Sequence, residues 1–309
     1  MRIVFFGTPQ FSAHILEDLL SLHAYDIVAV ISKPDARCGR GRKIMPTPVK
    51  QVAVRHKIPV FQPERASSFL DRLESFRADL FLVVAYGELF SPELLQLPVL
   101  GCFNVHASLL PAYRGAAPIQ RALMDGAHKT GISIFRLNAH MDSGDLLWQK
   151  EYAIDSNMNA GRLTERLLSL AQEGVKESLA LLDSGNQRFI SQHHEEATLA
   201  PKLKAKDRHL DPNQDVIWIH DHVRALSPSP GAFFLIECRD HVMRLKVLQT
   251  HIDAQLCDKQ RRWQVLNGSL ALTTPSGTIF FDIVQLEGRA AMSSEEFLRG
   301  IPLHQFRFV

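Results

Sequence analysis

Short apolar runs alternate with segments of helical spacing through the first part of the chain. The runs that predict β-strands lie at residues 2–6, 26–31, 58–61, 80–86, 102–106 and 130–137. After the first run, Phe11, Ile15 and Leu19 recur every three or four residues, which is typical of an amphipathic helix. Nearly continuous apolar strands that alternate with helices indicate a mostly parallel sheet covered on both faces. The pattern therefore predicts an α/β fold with a Rossmann-like, doubly wound sheet.

The pattern changes near residue 190. A polar stretch follows there, and beyond it short strands at residues 231–237, 241–252, 263–266 and 270–286 predict a small β-barrel. We therefore expect an α/β domain over residues 1–190, a linker over residues 191–209 and a smaller C-terminal β-barrel domain over residues 210–309. The run His220, Asp221, His222 resembles a ligand set, but we predict that these are surface side chains.

Composition places the chain among ordinary globular proteins. With 309 residues, 46% of them apolar and 22% charged, it is long enough for two domains with real cores. The net charge is only +2, so global charge does not indicate a nucleic-acid partner. The four cysteines are scattered without zinc-ligand spacing, which indicates a reducing compartment and no structural metal. No run approaches the ~20 apolar residues of a membrane helix. We expect a cytoplasmic protein without a membrane partner.

Residues 101–120 contain candidate catalytic side chains, and their sequence predicts a strand, a bend and the start of a helix. Because strand side chains alternate between faces, Asn104, His106 and Ser108 lie on one side. An Asn amide stabilises a developing oxyanion, and a His exchanges protons near neutral pH. The pair suits attack on a carbonyl. Taken alone, however, the pair is more typical of ordinary polar residues on the solvated face of an edge strand.

The carboxyl ends of the predicted strands indicate where a ligand binds. In open α/β sheets this edge holds the ligand, and both residues 86–87 and residues 106–108 fall there. Gly7, Thr8 and Pro9 stand where a dinucleotide-binding domain has its G-x-G-x-x-G turn. We therefore expect one pocket shared by the two segments, and no NAD.

A basic segment follows the second predicted strand. From Lys33 to Lys43 there are five basic residues and one acidic residue, interrupted by Gly39 and Gly41. We predict a mobile loop here. Lysine and arginine on such a loop suit an RNA phosphate backbone, but they equally suit a merely solvated loop, and charge alone does not separate the two.

A longer string carries a resemblance to a known family. The string His106 to Pro111, followed by Arg114-Gly115 and Pro118-Ile119, resembles enzymes that transfer a formyl group from 10-formyltetrahydrofolate to an amine. The resemblance implies three catalytic residues, namely Asn104, His106 and Asp142, with Asp145 as a structural alternative in the same loop. It also implies folate contacts from Tyr86, Gly87, Ser108, Leu109, Leu110 and Pro111. Arg114 either holds the substrate or braces the turn.

The basic segment adds a more specific resemblance. Residues 34–35, 39–41, 43 and 45–50 look like the insertion with which methionyl-tRNA formyltransferases engage initiator tRNA. The resemblance implies a methionyl initiator tRNA partner, a role in translation initiation, a monomer, and an OB-like C-terminal barrel that supports tRNA binding. The tRNA contacts that it implies are Arg37, Arg40, Arg42 and Lys43. After Arg208 the likeness is looser, since Ser229 stands where a Trp between two prolines is common.

Three alternative functions remain open at this stage. A sugar-nucleotide or other small-amine formyltransferase shares Asn104, His106 and Asp142 but does not need the basic segment. A hydrolase of formyl-folate shares the pocket and lacks an amine site. A non-catalytic RNA-binding protein on the same fold predicts RNA affinity without turnover, and the complete set of three candidate catalytic residues argues against it.

Overall fold

The computed structural model describes residues 1–38, 43–238 and 241–309. The chain forms two compact units. The first consists of Met1–Pro118, Lys129–Ala153 and Thr164–Pro201, and the second of Ile119–His128, Ile154–Leu163 and Lys202–Val309. The stretch predicted as a linker, residues 191–209, is therefore divided between the units at Pro201.

The first unit is built on a mixed sheet. Its strands, with those of the basic segment, are β1 (Arg2–Gly7), β2 (Asp26–Ile31), β3 (Ala36–Cys38), β4 (Lys43–Met45), β5 (Val60–Phe61), β6 (Leu80–Val84), β7 (Gly101–His106), β8 (Lys129–Arg136) and β9 (Leu146–Ala153). The main sheet has the order β5-β2-β1-β6-β7-β8-β9, parallel as far as β7 and antiparallel beyond it. The predicted Rossmann-like, mostly parallel sheet is confirmed.

Helices connect and flank these strands. In chain order they are α1 (Gln10–Ser21), α2 (Pro48–Arg55), α3 (Leu70–Ser75), α4 (Pro92–Gln96), α5 (Pro118–Met124) and α6 (Ala160–Asp183). Two of them begin with the same device. Thr47 and Ser91 each accept a hydrogen bond from a backbone N–H of the first turn, and a proline follows each cap. A capping hydroxyl and a preset φ angle stabilise a helix start.

Aromatic side chains fill the core beside the parallel strands. Phe6 is fully buried, and its ring centroid lies 5.2 Å from that of Phe81, 5.5 Å from Tyr86 and 5.0 Å from Phe90. Such tilted and edge-to-face pairs contribute beyond their buried area. This packing joins β1 to β6, and β6 pairs in parallel with β7, so the carboxyl ends of β6 and β7 lie next to each other.

Three local features of this unit differ from the predictions. Strand β6 ends at Val84 instead of residue 86, because Ala85 has a φ of 47° and leaves the β region. Strand β9 was not predicted, since half of its residues are exposed and the apolar pattern is weak. The flanks of the basic segment, predicted as loop, pair as an antiparallel ladder between β3 and β4.

The second unit is an antiparallel sheet with two helices of its own, and it also contains residues 119–124 of α5. Its elements are α7 (Val216–Leu226), β10 (Ala232–Cys238), β11 (His241–Asp253), β12 (Arg262–Leu266), β13 (Ser269–Thr274), β14 (Gly277–Leu286), β15 (Met292–Ser293), α8 (Ser294–Gly300) and β16 (Phe306–Phe308). The strand order is β12-β13-β14-β11-β10-β16, with β15 paired to β14. Short 3₁₀ helices complete the chain at Ala66–Phe69, His194–Glu196, Ala205–Arg208 and Leu303–Gln305.

The sheet of the second unit curls into a half-barrel. Trp263 on the edge strand β12 stacks on Phe308 of the opposite edge strand β16 at 3.6 Å between ring centroids. Phe234 of β10 makes edge-to-face contacts with both rings. Aromatic packing therefore brings the two edges together, and the predicted small barrel-like domain is confirmed as this half-barrel.

The prediction for the histidine run of α7 is wrong. His220 is only 7% exposed, and its two ring nitrogens lie 2.9 Å from Thr250 Oγ1 and 3.1 Å from the Ser156 carbonyl. Asp221 is buried as well and accepts a hydrogen bond from Arg224 Nε at 2.7 Å. Arg224 lies three residues after Asp221 on the same helix, but the two partners of His220 come from distant parts of the chain, so the local sequence could not reveal its burial.

Candidate active site

Strand β7 carries the first two candidate catalytic residues to its carboxyl end. Asn104 pairs in register with Val83 of β6 and Phe135 of β8, and His106 pairs with Ser133. Within the described part of the chain no hydrogen bond uses the Asn104 amide, so it is available to a ligand. The strand geometry thus places an amide donor and an imidazole two positions apart, as the sequence predicts.

The imidazole of His106 is buried and has one defined tautomer when neutral. Its Nε2 lies 2.9 Å from the Tyr113 carbonyl oxygen, and the side chain is 6% exposed. Because a carbonyl only accepts, Nε2 must be the donor in this contact. In the neutral ring Nδ1 then has a free lone pair. Nδ1 is therefore the nitrogen that can take up or release a proton.

Asp142 faces that same nitrogen. Its Oδ2 lies 3.7 Å from His106 Nδ1 and accepts a hydrogen bond of 2.8 Å from the Gly115 N–H. The distance to Nδ1 exceeds a hydrogen bond but is within ion-pair range when the ring is protonated. Both side chains are largely shielded from solvent, at 6% and 14% exposure, so their interaction is weakly screened. The structure thus brings His106 and Asp142 together.

A network of hydroxyl and amide groups shapes the turn after β7. Ser108 is fully buried and donates to the Ala112 carbonyl at 2.6 Å. Ser133 Oγ donates to the Ser108 carbonyl at 2.7 Å and accepts from the Leu110 N–H at 3.0 Å. The Leu110 side chain packs with other core residues. In this structure Ser108 and Leu110 therefore build the turn with their side chains.

The other residues implied as folate contacts lie close by in the fold. Leu109 and Pro111 are half-buried in the same turn, and Gly87 is exposed just after β6. Tyr86 is only 2% exposed, and burial raises the pKa of its hydroxyl. In the described part of the chain this hydroxyl has no hydrogen-bond partner. A buried orphan polar group is uncommon in folded proteins and is what a polar ligand satisfies.

A segment that sequence reasoning assigned to the linker borders this turn. Thr198 accepts from the Tyr113 N–H through its hydroxyl and from the Arg114 N–H through its carbonyl, both at 2.8 Å. The Ala200 N–H donates to the Arg114 carbonyl at 2.7 Å. The guanidinium of Arg114 contacts Gln192 Oε1 at 2.6 Å. Arg114 therefore braces the turn, which is one of its two predicted roles. The polar composition of this segment carried no signal of these contacts.

The structure describes only two of the four implied tRNA contacts. Arg37 lies on β3 and Lys43 on β4, whereas Arg40 and Arg42 lie outside the described residues. The base of the segment is anchored by Lys50 and Asp35, whose charged groups are 2.6 Å apart. Their hydrogen bond holds the pKa of the Asp35 carboxyl below its usual range.

The described residues contain no candidate metal centre and no candidate membrane-spanning helix. No group of three or more His, Cys, Asp or Glu side chains there could hold a metal ion. In the same part of the chain, no helix is both long enough and apolar enough to cross a membrane.

The fold and this site define a group-transfer enzyme that acts at a carbonyl. An amide donor, a histidine of defined tautomer and a facing carboxylate lie at the carboxyl edge of a doubly wound sheet. The chain belongs to the formyl transferase family: the formyl transferase model matches residues 1–179, and the formyl transferase C-terminal domain model matches residues 202–302. The family predicted from the motifs is therefore confirmed.

Relatives of the chain are similar over its whole length. It is 38% identical over 318 residues to the methionyl-tRNA formyltransferase of Protochlamydia amoebophila, with 100% of this chain and 98% of that protein covered. Identity to the methionyl-tRNA formyltransferase of Thermotoga maritima is 42% over 234 residues, with 75% of this chain and 74% of that protein covered.

Solved structures share the fold at lower identity. The sugar 3N-formyl transferase WlaRD, crystallised with dTDP and 5-N-formyl-THF, gives a TM-score of 0.70 at 15% identity and covers 94% of this chain and 99% of its own. An N-formyltransferase from Helicobacter canadensis gives 0.69 at 15% identity, covering 90% and 98%. At this identity the likeness concerns the fold alone.

Proposed function

We propose that this enzyme transfers the formyl group of 10-formyltetrahydrofolate to the α-amino group of methionine on aminoacylated initiator tRNA. The observation that carries the proposal is the identity of 36–38% to methionyl-tRNA formyltransferases across 100% of the chain, which includes the basic segment and both units. The reaction supplies formylated initiator tRNA for translation initiation. It takes place in the cytoplasm, where charged tRNA is available, and the enzyme acts as a monomer.

The reaction needs a neutral amine and a polarised carbonyl. An α-amino group has a pKa of ~7.7–8.0, and esterification of the neighbouring carboxyl lowers it, so a neutral fraction exists at pH 7. Attack on the formyl carbon creates an oxyanion. The Asn104 amide stabilises this charge, together with His106 protonated at Nδ1. Both side chains come from β7, which is held rigidly between β6 and β8.

Proton transfer accompanies the exchange of bonds. The bond that forms joins the amine nitrogen to the formyl carbon, and the bond that breaks joins that carbon to the folate nitrogen. The amine loses one proton, which Asp142 accepts directly or through water. The leaving nitrogen gains one from His106 Nδ1. The 3.7 Å separation between Asp142 Oδ2 and His106 Nδ1 allows both groups to act at the same reacting centre.

The folate contacts proposed are Tyr86, Gly87, Ser108, Leu109, Leu110 and Pro111. The Tyr86 hydroxyl, which has no hydrogen-bond partner among the described residues, supports these contacts, since a polar group of a bound pterin would supply that partner. The Ser108 and Leu110 side chains are engaged within the turn, so their contribution is to shape the pocket.

The tRNA contacts proposed are Arg37, Arg40, Arg42 and Lys43, with support from the second unit, residues 210–309. A local net charge of +4 over residues 33–43 favours a phosphate backbone. The antiparallel pairing of β3 and β4 supports the proposal, because it holds Arg37 and Lys43 on two neighbouring strands.

A transfer assay tests the function. Purified enzyme is given labelled 10-formyltetrahydrofolate with methionyl initiator tRNA, free methionine or amino-sugar nucleotides in parallel. We expect label on the tRNA alone. Label on an amino sugar would keep the formyl chemistry and overturn the proposed acceptor, whereas formate released without any acceptor would indicate a hydrolase. Gel filtration with light scattering at assay concentrations tests the monomer.

A further inference from the structure

Gln192 is a buried amide whose hydrogen-bonding groups all point at the candidate active site. The residue is 6% exposed. Its Oε1 accepts from Arg114 Nη2 at 2.6 Å and from Nε at 3.3 Å, while Nε2 donates to the Asp142 carbonyl at 3.0 Å and to the Gly144 carbonyl at 2.7 Å. Carbonyls only accept and a guanidinium only donates, so the orientation of the amide is unambiguous. Both of its hydrogens are used.

The backbone that Gln192 holds is in an uncommon conformation. Asp142 has a φ of 49°, in the left-handed region that residues other than glycine seldom occupy. Such a conformation persists only where the surrounding structure holds it in place. The hydrogen bond from Gln192 Nε2 to the Asp142 carbonyl acts directly on this residue, and the bond to Gly144 holds the loop two residues later.

Gln192 also ties this loop to the turn that binds the Asp142 carboxylate. The Gly115 N–H donates to Asp142 Oδ2, and Gly115 directly follows the Arg114 that Gln192 holds by its guanidinium. A single side chain thus connects the two loops whose relative position sets the 3.7 Å distance from Asp142 Oδ2 to His106 Nδ1. Neither loop has another buried side chain that performs this double function within the described residues.

We infer that Gln192 is a positioning residue for the reaction: it fixes Asp142 against the proton-exchanging nitrogen of His106. The inference rests on the catalytic role proposed for Asp142. Gln192 itself touches neither the reacting atoms nor His106. Its removal therefore lowers turnover by displacing Asp142, since small displacements of a catalytic group are costly.

Two variants separate the donor end of the amide from its acceptor end. Gln192→Glu keeps the size and the contact with Arg114 but directs a carboxylate oxygen at the two carbonyls, and Gln192→Met removes every hydrogen bond. We expect both to lower kcat by about 10²-fold. KM for 10-formyltetrahydrofolate and for methionyl initiator tRNA should change little. The pH dependence of kcat should shift in both variants, because the distance between Asp142 and His106 changes.

Controls make the outcome specific. Glu177→Met removes the hydrogen bond that Trp148 donates to α6 in the first unit, so it reports a loss of stability without a change at the site. It should leave kcat and its pH dependence unchanged. Where Gln192→Met does not fold, Gln192→Glu and Gln192→Asn, which keep polar groups at the position, decide the same question. Circular dichroism identifies the folded variants.

The outcomes also separate this inference from the proposed function. Asp142→Asn is assayed beside the Gln192 variants. If Asp142→Asn loses turnover while folded Gln192 variants keep wild-type kcat and pH dependence, the positioning role is wrong. Retained turnover in Gln192→Glu alone would mean that only the Arg114 contact matters, which also overturns it. Full turnover in Asp142→Asn would remove the proposed role of Asp142 itself.

Discussion

Replacing Gly115 with alanine tests whether the turn after β7 sets the active-site geometry. Gly115 has a φ of 127°, where an L side chain is strained. A Cβ at this position would lie 2.6 Å from the Ala200 carbonyl oxygen and 3.1 Å from its carbon, both backbone atoms. The Gly115 N–H is also the donor to Asp142 Oδ2 at 2.8 Å. Any shift that relieves the overlap therefore moves the hydrogen bond.

Two costs contribute to the expected effect. The backbone conformation costs about 1–3 kcal/mol, and displacing packed backbone costs about 1–3 kcal/mol more. We therefore expect Gly115→Ala to lower the free energy of unfolding by about 2–6 kcal/mol. A displacement of Asp142 approaching 1 Å should lower kcat by about 10²-fold.

Gly185 provides the matched control. It also has a positive φ, of 72°, but a Cβ there would meet nothing within 4 Å. Gly185→Ala should lose only about 1–2 kcal/mol of stability and none of the activity. Urea unfolding and formyl transfer to methionyl initiator tRNA measure the two quantities. A Gly115→Ala enzyme with wild-type kcat, and with a stability loss no larger than that of Gly185→Ala, would refute the reasoning.

Four further outcomes are expected. Asn104→Ala should lower kcat about 10²–10³-fold with unchanged folding, as measured by steady-state transfer, because one oxyanion donor is lost; an unchanged kcat would exclude this role. Burial lowers the pKa of His220 below 6.5, so the unfolded state binds its proton first as pH falls. Below pH 6.5 the free energy of unfolding of the wild type should therefore fall more steeply with pH than that of His220→Gln, by up to about 1.4 kcal/mol per pH unit. Urea titrations at several pH values measure both free energies, and parallel curves would contradict this. Phe234→Ala should destabilise the second unit by about 3–5 kcal/mol in denaturation followed by near-UV circular dichroism, because the ring is 1% exposed; less than 1 kcal/mol would be inconsistent with this packing. Arg40→Ala and Arg42→Ala should raise KM for tRNA and lower the salt slope of binding by about 0.7–0.9 each, and unchanged slopes would remove them as phosphate contacts.

The family assignment and the side-chain roles rest on different kinds of evidence. The family follows from motifs in the first half of the chain and from family models that match residues 1–179 and 202–302, and relatives cover its whole length. The roles of individual side chains depend on geometry. His106 and Asp142 meet at 3.7 Å, and the contact between His106 and the Tyr113 carbonyl leaves Nδ1 as the ring nitrogen that faces Asp142. That assignment is independent of the family and is open to direct test.

The local pattern of apolar and polar residues alone determined the parallel strands of the first unit and the shared face of two candidate catalytic residues. The apolar runs predict the parallel strands, because a strand buried on both faces must be apolar along its length. The two-residue period of a strand places Asn104 and His106 on one side. The sequence pattern missed β9 for the same reason, since half of this edge strand is exposed and its apolar pattern is too weak to detect.

Only the tertiary structure decided how distant segments meet. Gln192 contacts Asp142, 50 residues away in sequence, and Arg114, 78 residues away. Because these partners are so distant, the polar sequence after residue 190 predicted only a linker. Burial of His220 depends on Thr250, and the curl of the half-barrel depends on Trp263 meeting Phe308. Hydrophobic periodicity reports which face of a local element is buried, but it does not report which distant residue packs there. Such contacts form when the whole chain satisfies its buried polar groups at once.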